Sequence, residues 1–163
     1  LSVQKLIPRG AVKVGETKPG LRLLYYEGEW TKLPNFDSVK VAKEIVADTV
    51  VITSIARPED YGLIFKGYIS IPEDGMYEFG LNSDDGSALI IGDSLLVDND
   101  GIHGDGEVTG KIALKFGMHP IELRMFQCKG GQALNLFITG PRMAKHEVGS
   151  GMLFHTPVKA RKR

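Results

Sequence analysis

GMYEFGLNSDDGSALIIGDSLLVDNDGIH, residues 75–103, is the stretch whose reading decides the fold. Tyr77, Phe79 and Leu81 fall on alternate positions and predict a strand with one apolar face. Asp84-Asp85-Gly86 then forms an acidic loop. Ala88 to Ile91 and Leu95 to Val97 predict two further strands around Gly92-Asp93, a two-residue hairpin connection of the primed-turn kind. A second acidic loop runs from Asp98 to Glu107.

The same grammar extends outward. Leu63, Phe65, Gly67, Ile69 and Ile71 share one face of a predicted strand, and Pro72 to Gly75 makes the turn that follows it. Lys111 to Phe116 predicts a strand ended by Gly117. Ile121, Leu123 and Met125 alternate in another, and Leu134, Leu136 and Ile138 in a last one before Gly140-Pro141. Upstream, Leu21 to Tyr26 and the β-branched run Thr49 to Ile55 predict strands, with a short helix or irregular loop over Ser38 to Asp48. Many short strands between turn signals predict an all-β sandwich or barrel of antiparallel strands. Residues 1–19 read either as a lead-in that packs Val3, Leu6, Ile7, Val12 and Val14 on the domain or as a linker from a preceding domain. The domain itself spans residues 20–157, and residues 158–163 form a basic tail.

With 163 residues, 42% hydrophobic and 25% charged, the chain can bury a core as one domain without disulfides. A formal net charge of +0 argues against a nucleic-acid partner. No apolar run is long enough for a membrane helix. The chain begins with Leu1 and reads as a piece cut from a longer protein, so the missing export signal says nothing of location. Cys128 stands alone and builds neither a disulfide nor a cysteine zinc site.

Two loops could carry chemistry. Asp84 and Asp85 are either a solvated turn or two hard oxygen ligands for a cation, with Gly86 letting the backbone turn sharply after them. Asp98 to Glu107 is a glycine-rich surface loop, a structural cation loop, or a ligand contact through Asp100 or His103. The helix-loop-helix calcium pattern fails there because Ile102 occupies a ligand position. The four histidines lack metal-ligand spacing, no nucleophile elbow or phosphate loop is present, and no carboxylate pair stands out for glycoside hydrolysis. Tyr25, Tyr26 and Trp30 are candidates to stack on sugar rings, but Leu23 and Leu24 beside them point to core or half-buried roles.

Tyr25-Tyr26-Glu27-Gly28-x-Trp30-x-x-Leu33-Pro34, then Phe65-x-Gly67-Tyr68-Ile69-x-Ile71-Pro72-x-Asp74-Gly75-x-Tyr77-x-Phe79 and Ser83-Asp84-Asp85-Gly86-Ser87, together resemble the PA14 domain family. The match continues through Val97-Asp98-Asn99-Asp100-Gly101-x-His103-Gly104, Gly117-x-His119-Pro120-Ile121, Gly130-Gly131 and Gly140-Pro141. The wording is most similar to PA14 modules on bacterial glycoside hydrolases such as β-hexosaminidases and fucosidases of Bacteroidetes.

The resemblance implies a β-sandwich in which Asp84 and Asp85, joined by a cis peptide, hold calcium with the Gln127 amide and backbone carbonyls, the sugar hydroxyls then binding the metal. Gly130 and Gly131, on the same second loop as Gln127, are implied ligand contacts. Two features depart from the family pattern: Gly92-Asp93 stands where many relatives have Asp-Gly, and the loop after Gln127 lacks an aromatic platform and carries Lys129, expected to bring positive charge near the calcium. The chain is therefore expected to be a non-catalytic, calcium-assisted carbohydrate-binding module of an extracytoplasmic glycoside hydrolase. The alternative is a structural module packed against a catalytic domain of the same chain, binding no sugar of its own.

Overall fold

The computed structural model describes residues 7–157, so the first six residues of the lead-in and the basic tail at 158–163 lie outside the described range. Twelve strands follow in order: β1 (Lys18–Pro19), β2 (Leu21–Glu27), β3 (Lys43–Ala47), β4 (Tyr61–Ile71), β5 (Gly75–Asp84), β6 (Ser87–Ile91), β7 (Ser94–Asn99), β8 (Gly106–Leu114), β9 (Gly117–Gln127), β10 (Ala133–Gly140), β11 (Met143–Glu147) and β12 (Leu153–His155). Two single 3-10 turns, Phe36–Ser38 and Ser150–Met152, are the only helical segments among the described residues.

The strands form an antiparallel sandwich. One sheet has the order β11-β10-β5-β8, and the other runs β1-β12-β4-β9-β6-β7 with β2 and β3 attached at β4. The alternation read from the sequence sets the inner faces. Leu63, Phe65, Ile69 and Ile71 of β4 face Tyr77, Phe79 and Leu81 of β5, all fully buried. Each such side chain contributes roughly 1.5–3 kcal/mol on leaving water. A smaller cluster on the outer face of the larger sheet packs Tyr26, Phe36 and Ile64 under Trp30 and Leu33.

β2 and β12 share one edge of β4 end to end. Arg22 to Glu27 pair with Lys66 to Tyr61, while Leu153 and Phe154 pair with Ile69 and Tyr68. Gly67 sits at the handover, where a Cβ would meet the Phe154 carbonyl oxygen and the Leu21 side chain.

Three sequence expectations are corrected. The strand expected at Thr49 to Ile55 is irregular chain, and the strand lies earlier, at β3. β3 exists because β2 pairs with it, Leu21 opposite Ala47 and Leu24 opposite Glu44, a distant partner that local pattern does not show. Val50 is buried, and Ile52 and Ile55 pack on the core, so the β-branched run plugs the sandwich without joining a sheet. The described part of the lead-in, from residue 7, docks through backbone hydrogen bonds at Arg9 and Val12, with Val14 half-buried. Val12 N–H donates to the Met118 carbonyl at 2.9 Å, while Ile7 and Val12 stay exposed. Gly86 serves by its small size and not by positive φ, since a Cβ there would lie 2.5 Å from the Phe126 ring and 2.8 Å from Asp100 Oδ1.

Candidate functional site

Three connections cross between the sheets at one end of the sandwich. Residues 85–86 join β5 to β6, residues 100–105 join β7 to β8, and residues 128–132 join β9 to β10. Register decides what they bring together. Asp84 lies opposite Ala133 in the β5–β10 pair, and Gln127 lies opposite Tyr61 in the β4–β9 pair. The acidic loop and the Gln127 loop, over forty positions apart in sequence, therefore meet side by side.

The Asp84–Asp85 peptide is cis. Ser83 Oγ donates to the Asp85 carbonyl oxygen at 2.7 Å and shares a 2.6 Å hydrogen bond with Ser87 Oγ, tying the two sides of the loop. Asp85 is buried, and its Oδ2 accepts from the Cys128 N–H at 2.8 Å. Across the gap, Gly131 lies beside Asp84, a Cβ built on the glycine falling 3.5 Å from Asp84 Oδ2. Gln127 is fully buried, and its Nε2 donates to the carbonyls of Gly130 at 3.1 Å and Gly131 at 2.9 Å. Those two bonds fix which end of the amide is oxygen. Gln127 Oε1 is left buried without a hydrogen-bond partner.

Electrostatics follow from this crowding. Burial, then the neighbouring Asp85 carboxylate, pushes the Asp84 carboxyl above its ordinary value, with His103 opposing. Burial, then Tyr25 and the two aspartates, holds the Tyr61 phenol well above its usual range, and its O–H donates to Gln132 Oε1 at 2.6 Å. His103 faces two acceptors, the Asn99 carbonyl at 2.7 Å and the Gly104 carbonyl at 2.8 Å. Both are satisfied only when both ring nitrogens carry protons. Burial opposes that charge, but these bonds and the field of Asp85 and Asp84 outweigh it and raise the imidazole pKa.

The remaining sequence candidates have other contacts. Asp100 Oδ1 accepts from the N–H groups of Leu33 and Gly101, at 2.8 and 2.7 Å, and so braces the Trp30 loop against its own. Lys129 is turned onto Asp60 and Glu29, where its charge is paired. Asn99 was missed by sequence reasoning: its buried Nδ2 donates to the Leu81 and Gly106 carbonyls, at 3.1 and 2.9 Å, closing the acidic loops over the core. Its place two residues after buried Val97, on the same face of β7, was the available signal.

Among the described residues no three His, Cys, Asp or Glu side chains converge as a metal set. What the adjoining loops offer is two carboxylates and, on the neighbouring Gln127, an unpaired amide oxygen. Such all-oxygen donors suit calcium rather than a transition metal. The stranded Gln127 Oε1 is the point of fit, since a buried acceptor without a donor calls for a cation or a bound hydrogen-bond donor.

Comparison with known proteins gives three findings. A family model described as PA14 domain matches residues 17–151. A search of curated proteins found no match. Among solved structures, an anti-sigma factor domain-containing protein from Clostridium clariflavum is similar at 22% identity and a TM-score of 0.73, the match covering 90% of this chain and 50% of that one. A second protein of that description is likewise covered over only 50% of its length, so the chain spans about half of these relatives. The PA14 sugar-binding domain from an RTX adhesin is similar at 15% identity and a TM-score of 0.72, covering 85% of this chain and 99% of that one. The epithelial adhesin 6 A domain from Candida glabrata, in complex with Galβ1-3GlcNAc, is similar at 11% identity and a TM-score of 0.67, covering 88% and 90%. At these identities the likeness speaks to the fold.

Proposed function

We propose, for a chain that belongs to the PA14 domain family, a non-catalytic carbohydrate-binding module whose glycan contact is made through calcium held by Asp84, Asp85 and Gln127. The observation that carries this reading is the Gln127 amide, clamped by two carbonyls with its buried oxygen unpartnered, on the loop whose Cys128 N–H binds Asp85. Bound there, calcium would offer coordination positions to the hydroxyl oxygens of a sugar. The chain's own groups do the rest. Cys128 N–H orients Asp85, the serine pair holds the loop closed, and Gly130 and Gly131 keep the amide oxygen turned inward. Similar domains described as sugar-binding, or seen with Galβ1-3GlcNAc, support the ligand class. The same reading sets the module outside the cytoplasm on a glycoside hydrolase of the β-hexosaminidase kind.

Calorimetry tests the metal. Calcium titrated into the wild type is expected to give a saturable heat that Asp85→Ala abolishes; no heat and no thermal shift in the wild type refutes the site. A second reading, a structural module packed on a catalytic domain, is favoured by Phe116, which is 68% exposed between β8 and β9, at the opposite end of the sandwich from the acidic loops. Binding to no glycan on an array in excess calcium would decide for that reading.

A further inference from the structure

An open groove of about 450 Å³ runs between the Glu29–Asn35 segment and Cys128. That is within the size range of small-molecule sites. Trp30, Leu33 and Pro34 give it an apolar wall, and Glu29, Lys32 and Asn35 a polar rim.

The indole is held rigidly. Trp30 stands edge-on to Phe36, with ring centroids 6.1 Å apart and planes at 61°. It is seated on two glycines: a Cβ on Gly28 would lie 2.5 Å from its Cζ2, and one on Gly62 would lie 3.2 Å from its Cζ3. Trp30 lines the groove and is only half-buried, whereas Tyr25 and Tyr26 are 2% and 4% exposed and closed to any ligand. The sequence candidates for stacking thus divide: two tyrosines in the core, one tryptophan at the surface.

The groove shares walls with the acidic site. Cys128 lines it, and the Cys128 N–H is the group that binds Asp85 Oδ2. On the other side Leu33 N–H binds Asp100 Oδ1, which in turn lies against Gly86. A flat aromatic ring with a polar rim matches the two surfaces of a pyranose, an apolar C–H face and a belt of hydroxyls.

We propose that this groove is a second glycan subsite, in which the residue next to the calcium-held sugar lies against Trp30. The subsite rests on the calcium-dependent reading above and adds to it a preference for oligosaccharides over single sugars.

Trp30 is the chain's one tryptophan, so its fluorescence reports on the groove alone. The test probes an array of mono- and oligosaccharides in excess calcium and titrates each hit into the wild type. Oligosaccharides are expected to bind more tightly than their terminal monosaccharides and to change the tryptophan emission. Trp30→Ala is expected to weaken oligosaccharide binding by about tenfold or more, as for a central aromatic anchor, while leaving monosaccharide and calcium affinity unchanged. Hits that require Asp85, yet leave the emission unchanged and bind as well to Trp30→Ala, overturn the subsite and spare the calcium reading. Oligosaccharides bound no better than single sugars overturn it too. An array without hits removes both. Should Trp30→Ala fail to fold, emission from the wild type decides alone.

Discussion

Replacing Gln127 by methionine keeps nearly the same volume and removes both ends of the amide. In calcium-free protein two effects oppose. Two hydrogen bonds to the Gly130 and Gly131 carbonyls are lost, at about 0.5–1.5 kcal/mol each. Those carbonyls belong to exposed residues and can turn to water. The buried, unpartnered Oε1 is lost as well, relieving about 1–3 kcal/mol. The net change expected in EDTA is within about 1 kcal/mol of zero.

Calcium separates the two proteins. At a free concentration one hundred times its Kd it stabilises the wild type by about 2.7 kcal/mol. For a chain of this size that raises Tm by roughly 5–10 °C. Gln127→Met is expected to lose most of that shift. Differential scanning calorimetry in EDTA and in calcium measures both quantities. Equal calcium shifts in the two proteins, or a loss of several kcal/mol for Gln127→Met in EDTA, would refute the assignment of Gln127 as a ligand whose oxygen waits for a cation.

Phe79→Ala opens a cavity between the sheets at a fully buried position and is expected to cost about 3–5 kcal/mol, read from urea unfolding. Gly67→Ala drives a methyl against the Phe154 carbonyl. The expected loss is about 1–3 kcal/mol, with hydrogen-exchange protection falling first at the β12–β4 pairing. Tyr77 gives a pH prediction. Burial holds its phenol above the ordinary 10.0, against the lowering effect of its bond to the Glu73 carbonyl. A raised folded-state pKa gives stability that is complete below pH 10 and is lost as pH climbs towards the folded value. Tyr77→Phe should therefore lose stability less steeply than wild type above pH 10; coincident slopes in urea midpoints would contradict it.

The strands that carry the core were legible because their alternation is a local property. Tyr77, Phe79 and Leu81 announce an inner face whatever they pack against. β3 was not legible, because Lys43–Ala47 has no alternation of its own and is a strand only through β2. β1 and β12, of two and three residues, are likewise made by their neighbours. At the site, the aspartate pair was visible as a motif, and its meeting with the Gln127 loop came from family resemblance, since only register across two sheets brings them together. The clamp on the Gln127 amide and the groove beside Trp30 could not be read at all. Both depend on loop backbone, and loop conformation leaves little trace in residue type.

Lys18 and His155 are partners across the β1–β12 pair, and Pro19 faces Phe154. A load carried in at Lys18 and out at His155 would open those rungs one after another, as a zipper does, instead of shearing β4 along the eleven residues it shares with β9. From the level of Gly67 to Tyr61, at the site end of β4, is roughly 20 Å along the strand. Tension on the domain would therefore be spent on two short strands before the loops that hold the aspartates felt it.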